Sequence, residues 1–174
     1  MNRIAIVCES LTGNTAMLAE ALRAHLQSKN SYVTSPVLAD ADSSDVFFIG
    51  SWADKGDCAA ATAAFLKKLH NKDVFLFGTC GFGKSDAYYD TVYRRFADHL
   101  DPDNRIIGHY ICQGKMPESV LHRYKAMKAA NPESNRWDES IENYHNALSH
   151  PNGNDMQALC DAADVALETI KAKL

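Results

Sequence analysis

The stretch of residues 4–15, which reads I-A-I-V-C-E-S-L-T-G-N-T, limits what this chain can fold into more than any other. Ile4, Ala5, Ile6, Val7 and Cys8 form a continuous apolar run, the pattern of a strand buried on both faces near the centre of a parallel sheet. The run stops abruptly. Beyond it Leu18, Leu22 and Leu26 recur four apart, which predicts a helix. The segment therefore reads as strand, tight hydroxyl-rich loop, helix.

The loop between them has the chemistry of a phosphate cradle. Ser10, Thr12 and Thr15 offer hydroxyls, Leu11 and Asn14 complete the loop, and Gly13 lets a ligand come close to the backbone. The N–H groups that open the helix point towards an anion. The loop holds no Lys or Arg, so an anion there would meet backbone dipoles and neutral donors, whereas a triphosphate loop normally carries a lysine. A plain serine or threonine cap on an ordinary helix is the competing reading. The whole string decides between them, because S-x-T-G-N-T directly after the first strand resembles the FMN-phosphate loop of the flavodoxin family.

The chain's 174 residues suit a single domain, 1–174, large enough for a substantial core. A net charge of −4 gives no basic stripe for nucleic acid. No apolar run is long enough to span a bilayer, and no secretory apolar region follows Met1, so a cytoplasmic location is expected. Cys8, Cys58, Cys80, Cys112 and Cys160 are odd in number, with no C-x-x-C pair, and read as small buried thiols in a reducing compartment.

Further apolar strands are expected at residues 46–49, 74–77 and 106–112, with a weak one at 32–38 that Pro36 places at an edge. Helices are expected at 58–69 and 86–100, and a last one carries Met156, Leu159, Ala163, Leu167 and Ile170 on one stripe. Alternation of this kind means a doubly wound α/β sandwich. Five parallel strands in the order 2-1-3-4-5 put the ligand crevice between the first and third, at carboxyl ends. Residues 115–155 break the alternation with two short helices, 120–129 and 134–148. Trp137, Ile141, Tyr144 and Leu148 fall at helical spacing there, opposite Val120, Tyr124 and Met127.

Two more loops fall at strand ends. In the first, Ser51, Trp52, Ala53, Asp54, Lys55 and Gly56, the tryptophan offers a π-face and the glycine a mobile peptide. Packing of Trp52 onto the sheet is the alternative. The second, residues 78–85, formally satisfies the nucleotide pattern G-x-x-x-x-G-K-[ST] through Lys84 and Ser85. Neither neighbouring strand ends in the aspartate that would hold Mg²⁺, which argues against an NTPase. Receiver-domain and low-molecular-weight phosphatase readings also fail, because Gly50 and Ser51 stand where the first needs Asp and Asn14 where the second needs Arg.

The resemblance to flavodoxins covers residues 1–115 and the last helix. It implies a flavodoxin-like three-layer sandwich that binds one FMN non-covalently and carries single electrons between protein partners, a reductase and an acceptor, as a monomer or weak dimer. It also implies that the loop of Ser51 to Gly56 walls one side of the flavin ring. The other side would be walled by Thr79, Cys80, Gly81, Phe82 and Gly83 with Tyr88 or Tyr89. Lys55 stands where the family's aromatic usually sits, so the stacking residue is left open. The rival is an FMN-dependent reductase of a small molecule, of quinone or tetrapyrrole type, alone or within a larger reductase.

Overall fold

The computed structural model describes residues 3–27, 31–83 and 85–171; Lys84, the lysine of the nucleotide-like pattern, lies outside them. The apolar runs become strands β1 (Ile4–Glu9), β2 (Ser31–Thr34), β3 (Val46–Asp54), β5 (Asp73–Cys80) and β6 (Arg105–Gln113), with a two-residue β4 (Asp57–Cys58). The parallel sheet runs β2-β1-β3-β5-β6, and β4 folds back antiparallel on β3. With β4 set aside, this is the order the sequence predicts. Helices α1 (Asn14–Leu26) and α6 (Gly153–Lys171) cover one face, and α2 (Ala60–Leu66) and α3 (Asp86–Ala97) the other.

Strand alternation supplies both cores. Ile4, Ile6, Phe48 and Phe75 point towards α1 and α6, while Ala5, Val7, Phe47 and Leu76 join Phe65 and Phe96 on the opposite face. Burying side chains of this size contributes roughly 1.5–3 kcal/mol each, which makes the central strands the rigid base of everything at their carboxyl ends.

Several boundaries differ from the sequence expectation, and those around the cavity have local reasons. The edge strand stops at Thr34 because the chain turns at Pro36, where Leu38 N donates to Ser35 O at 3.1 Å. Residues 50–54, expected as loop, continue β3 in register with β1 and β5, and only Lys55 and Gly56 turn. Both have positive φ, 52° and 85°, the geometry of a type I′ hairpin. Residues 78–80 likewise belong to β5. α2 starts later than expected, since Cys58 is taken by β4 and Glu9 Oε2 accepts from Thr62 N at 3.2 Å and from Thr62 Oγ1 at 3.0 Å.

The segment after β6 forms α4 (Glu118–Ala130) and α5 (Asn135–Ala147), which pack on each other through Leu121, Tyr124, Tyr144, Trp137 and Ile141. Leu148 and Met127 stay out of this cluster, at 49% and 39% exposure, so the expected stripe is shorter at both ends. No described helix is long and apolar enough to cross a membrane.

Candidate functional site

A cavity of about 600 Å³ opens at the carboxyl ends of β1, β3 and β5, within the size range of small-molecule sites. Thr12 and Asn14 of the first loop line it, as do Trp52, Phe82 and Tyr88.

The first loop is wound by its own side chains. Ser10 Oγ accepts from Gly13 N at 3.1 Å, and Gly13 takes φ +93° with open space where a Cβ would stand. Such a conformation suits glycine, and the opening stays clear for a ligand. Helix α1 then begins with no side-chain cap bond and no acid in its first turn, so its leading N–H groups are left for an anion. Glu9, the nearest carboxylate in sequence, is turned away to the start of α2. A phosphate therefore fits this loop on geometry and charge.

Not every predicted residue reaches the cavity. Leu11, Thr12, Asn14, Trp52, Ala53, Asp54, Lys55, Gly56, Thr79, Cys80, Gly81, Phe82 and Tyr88 line it. Ser10, Gly13, Thr15, Ser51 and Gly83 are outside the lining. Thr15 is fully buried, with its hydroxyl 2.9 Å from that of Thr79, and so ties the first loop to the end of β5. Ser51, also fully buried, donates to Trp52 O and accepts from Ala59 N, each at 2.9 Å, which closes the β3–β4 hairpin from inside.

That hairpin is held from α3 and the turn after it. Arg95 Nη1 donates to Lys55 O at 3.1 Å, and His99 Nε2 lies 3.0 Å from both Asp57 carboxylate oxygens. A Cβ at Gly56 would meet Arg95 Nη1 at 2.6 Å, so a side chain there would strain the positive φ and displace the guanidinium that holds Lys55 O. Phe82 meets Tyr88 edge-on, ring centres 6.3 Å apart, which extends the aromatic surface on the far wall. Burial pushes the Cys80 thiol up to about 12, so it stays protonated at neutral pH and is no nucleophile. His109 of β6 stacks on Tyr93 with ring centres 3.7 Å apart, and burial, only partly offset by Asp90, lowers its pKa.

The sequence reading missed the cavity's fourth wall. Gly114, Lys115, Met116, Pro117, Val120, Arg123 and Tyr124 line it from the entry and first turns of α4. Asn14 Nδ2 donates to Lys115 O at 2.9 Å and to Thr12 Oγ1 at 3.2 Å, so the segment after β6 docks directly on the first loop. Val120 and Tyr124 were visible as a helical stripe, but that spacing does not say what lies beside the helix.

The fold and this cavity define an α/β protein that takes a phosphorylated, ring-bearing ligand at the carboxyl ends of its strands. A flavodoxin-domain family model matches residues 5–164, and the chain belongs to the flavodoxin family. It is 35% identical over 173 residues to the flavodoxin-like domain-containing protein BilS of Clostridium symbiosum (strain WAL-14163), covering 90% of this chain and 91% of that one. BilS of Clostridioides difficile (strain CD3) is 31% identical over 150 residues, covering 84% and 85%. The fold is similar to that of Fusobacterium nucleatum flavodoxin bound to flavin mononucleotide, with a TM-score of 0.55 at 14% identity over 99% of each chain.

Proposed function

We propose that this protein is an FMN-binding electron carrier that passes single electrons between a reductase and an acceptor protein. The observation that supports it is the make-up of the cavity lining, which joins the neutral donors of the loop at Thr12 to the aromatic side chains of Trp52, Phe82 and Tyr88. FMN matches that make-up, with one phosphate and one ring. FAD would need a second phosphate site of G-x-G-x-x-G type after β1, which the sequence lacks.

When bound, FMN supplies the electron chemistry, and the protein's residues bind, orient and shield. The N–H groups opening α1 and the Thr12 hydroxyl hold the phosphate. Trp52 and Tyr88 are the candidates to stack on the ring, while the segment from Met116 to Tyr124 covers the side that would otherwise meet water. Among the described residues the lining holds no histidine and its one thiol stays protonated, while its other titratable groups are Asp54, Lys55, Tyr88, Lys115, Arg123 and Tyr124.

A second reading, an FMN-dependent reductase of a small molecule, has its own support. A neighbouring cavity of about 400 Å³ shares Phe82, Arg123 and Tyr124 with the first and adds Arg136, Trp137, Glu139 and Ser140, room for an aromatic substrate beside the ring. Kinetics separate the two. The carrier reading expects negligible NAD(P)H oxidation by the FMN-loaded protein alone and turnover only when a reductase and an acceptor are both added. Steady NAD(P)H oxidation by the isolated protein, with reduction of a quinone or tetrapyrrole, would overturn it in favour of the reductase.

A further inference from the structure

The loop Gly81-Phe82-Gly83 is fastened from behind by two amides that the binding reading does not use. Asn143 lies on α5 and Gln113 ends β6, and they are 7% and 6% exposed. Asn143 Nδ2 donates to Gly81 O at 2.9 Å, and Gly83 N donates to Asn143 Oδ1 at 3.2 Å. Gln113 Nε2 donates to the same Gly81 O at 3.1 Å and to Asn143 Oδ1 at 3.0 Å. One carbonyl and one side-chain oxygen thus each accept twice, and both loop glycines are fixed.

The clamp explains Gly83, and Met116 explains Gly81. A Cβ at Gly83 would lie 2.3 Å from Gln113 Oε1, and one at Gly81 2.6 Å from Met116 Sδ. The close approach they permit is therefore made by the protein's own side chains, by Gln113 at Gly83 and by Met116 of the cavity wall at Gly81. Phe82, the residue between them, lines the cavity, and its N–H has no acceptor among the described residues.

We infer that Asn143 is a positioning residue which, with Gln113, sets the height and tilt of the Gly81–Gly83 loop against the flavin ring and so makes the α4–α5 hairpin part of the cofactor site. A buried amide that both donates to and accepts from one short loop fixes it in two directions, and losing it leaves Gly83 N and one bond of Gly81 O unmet. This inference rests on the FMN reading.

The test compares the wild-type apo-protein with Asn143→Ala, Asn143→Asp and, as a control on the same helix, Ser140→Ala, whose hydroxyl bonds only Arg136 O. Each is titrated with FMN and with riboflavin, and the visible flavin bands and midpoint potential of each complex are recorded. Asn143→Ala is expected to weaken both ligands equally, by about tenfold, and to shift the flavin bands and the potential. Asn143→Asp keeps the acceptor for Gly83 N and should lie between Asn143→Ala and wild type, which also serves if the alanine variant does not fold. Ser140→Ala should leave affinity, bands and potential unchanged. Wild-type affinities, bands and potential in both Asn143 variants would overturn the inference while leaving FMN binding intact. A wild-type protein that takes up no FMN would overturn it together with the reading beneath it.

Discussion

The two ends of the cavity are built by different means. The end proposed for the phosphate is one contiguous string, Ser10 to Thr15, wound by its own Ser10–Gly13 bond and launched from β1, whose first four residues are buried. The ring end is assembled from segments far apart in the chain: the β3–β4 hairpin, the end of β5, the entry to α4 and Asn143 of α5. A local loop is specified by its own residues, whereas an assembled wall needs each neighbour to hold the next. The hairpin depends on Arg95 and His99, the Gly81–Gly83 loop on Gln113 and Asn143, and the α4 entry on Asn14.

The sharpest way to separate the ends is Thr12→Ala. A hydrogen bond to a charged group contributes about 1.5–3 kcal/mol, so FMN affinity should fall roughly ten- to hundredfold while riboflavin, which lacks the phosphate, binds as before. Equal loss of both ligands would place Thr12 at the ring end and break the comparison. Trp52→Ala is the converse, expected to weaken FMN and riboflavin alike by about tenfold in fluorescence titrations. Unchanged affinity and spectrum would mean that Trp52 packs on the protein only.

The difference between the ends also decides what could be read from the sequence. The apolar runs placed the strands, and S-x-T-G-N-T marked the loop proposed for the phosphate, because both signals are local. The hairpin was taken for a loop, since Gly50 and Ser51 look like a strand's end. The structure shows them continuing β3, with a Cβ at Gly50 excluded by the Phe77 ring at 2.2 Å. That packing is non-local and leaves no periodic trace. Asn143 and Gln113 were equally hidden, two amides 30 residues apart in sequence whose meeting depends on how α5 docks.

Two smaller effects sharpen the comparison further. Gly56→Ala forces a side chain into φ +85° against Arg95 and should lower unfolding stability by about 1–2 kcal/mol in urea denaturation. A variant as stable as wild type would mean that the turn is free to change type. The last effect is absent at neutral pH. Burial raises Cys8, Cys58 and Cys80 from an ordinary 9.0 to about 12, with further raising from the charge of Glu9 at Cys8 and of Asp57 at Cys58. The folded state therefore holds these protons more tightly than the unfolded chain does, so their contribution is intact below pH 9 and is lost as pH rises from about 9 towards 12. Urea midpoints should be flat from neutrality to about pH 9 and then fall; a midpoint already falling between pH 7 and 8 would contradict the burial of these thiols.

FMN titration of the wild-type apo-protein, followed by visible absorbance and flavin fluorescence with riboflavin and FAD in parallel, tests the cavity most directly. The predicted result is one FMN per chain with strongly quenched fluorescence, riboflavin binding more weakly and FAD not binding. A protein that stays colourless, or that binds riboflavin as tightly as FMN, would contradict it.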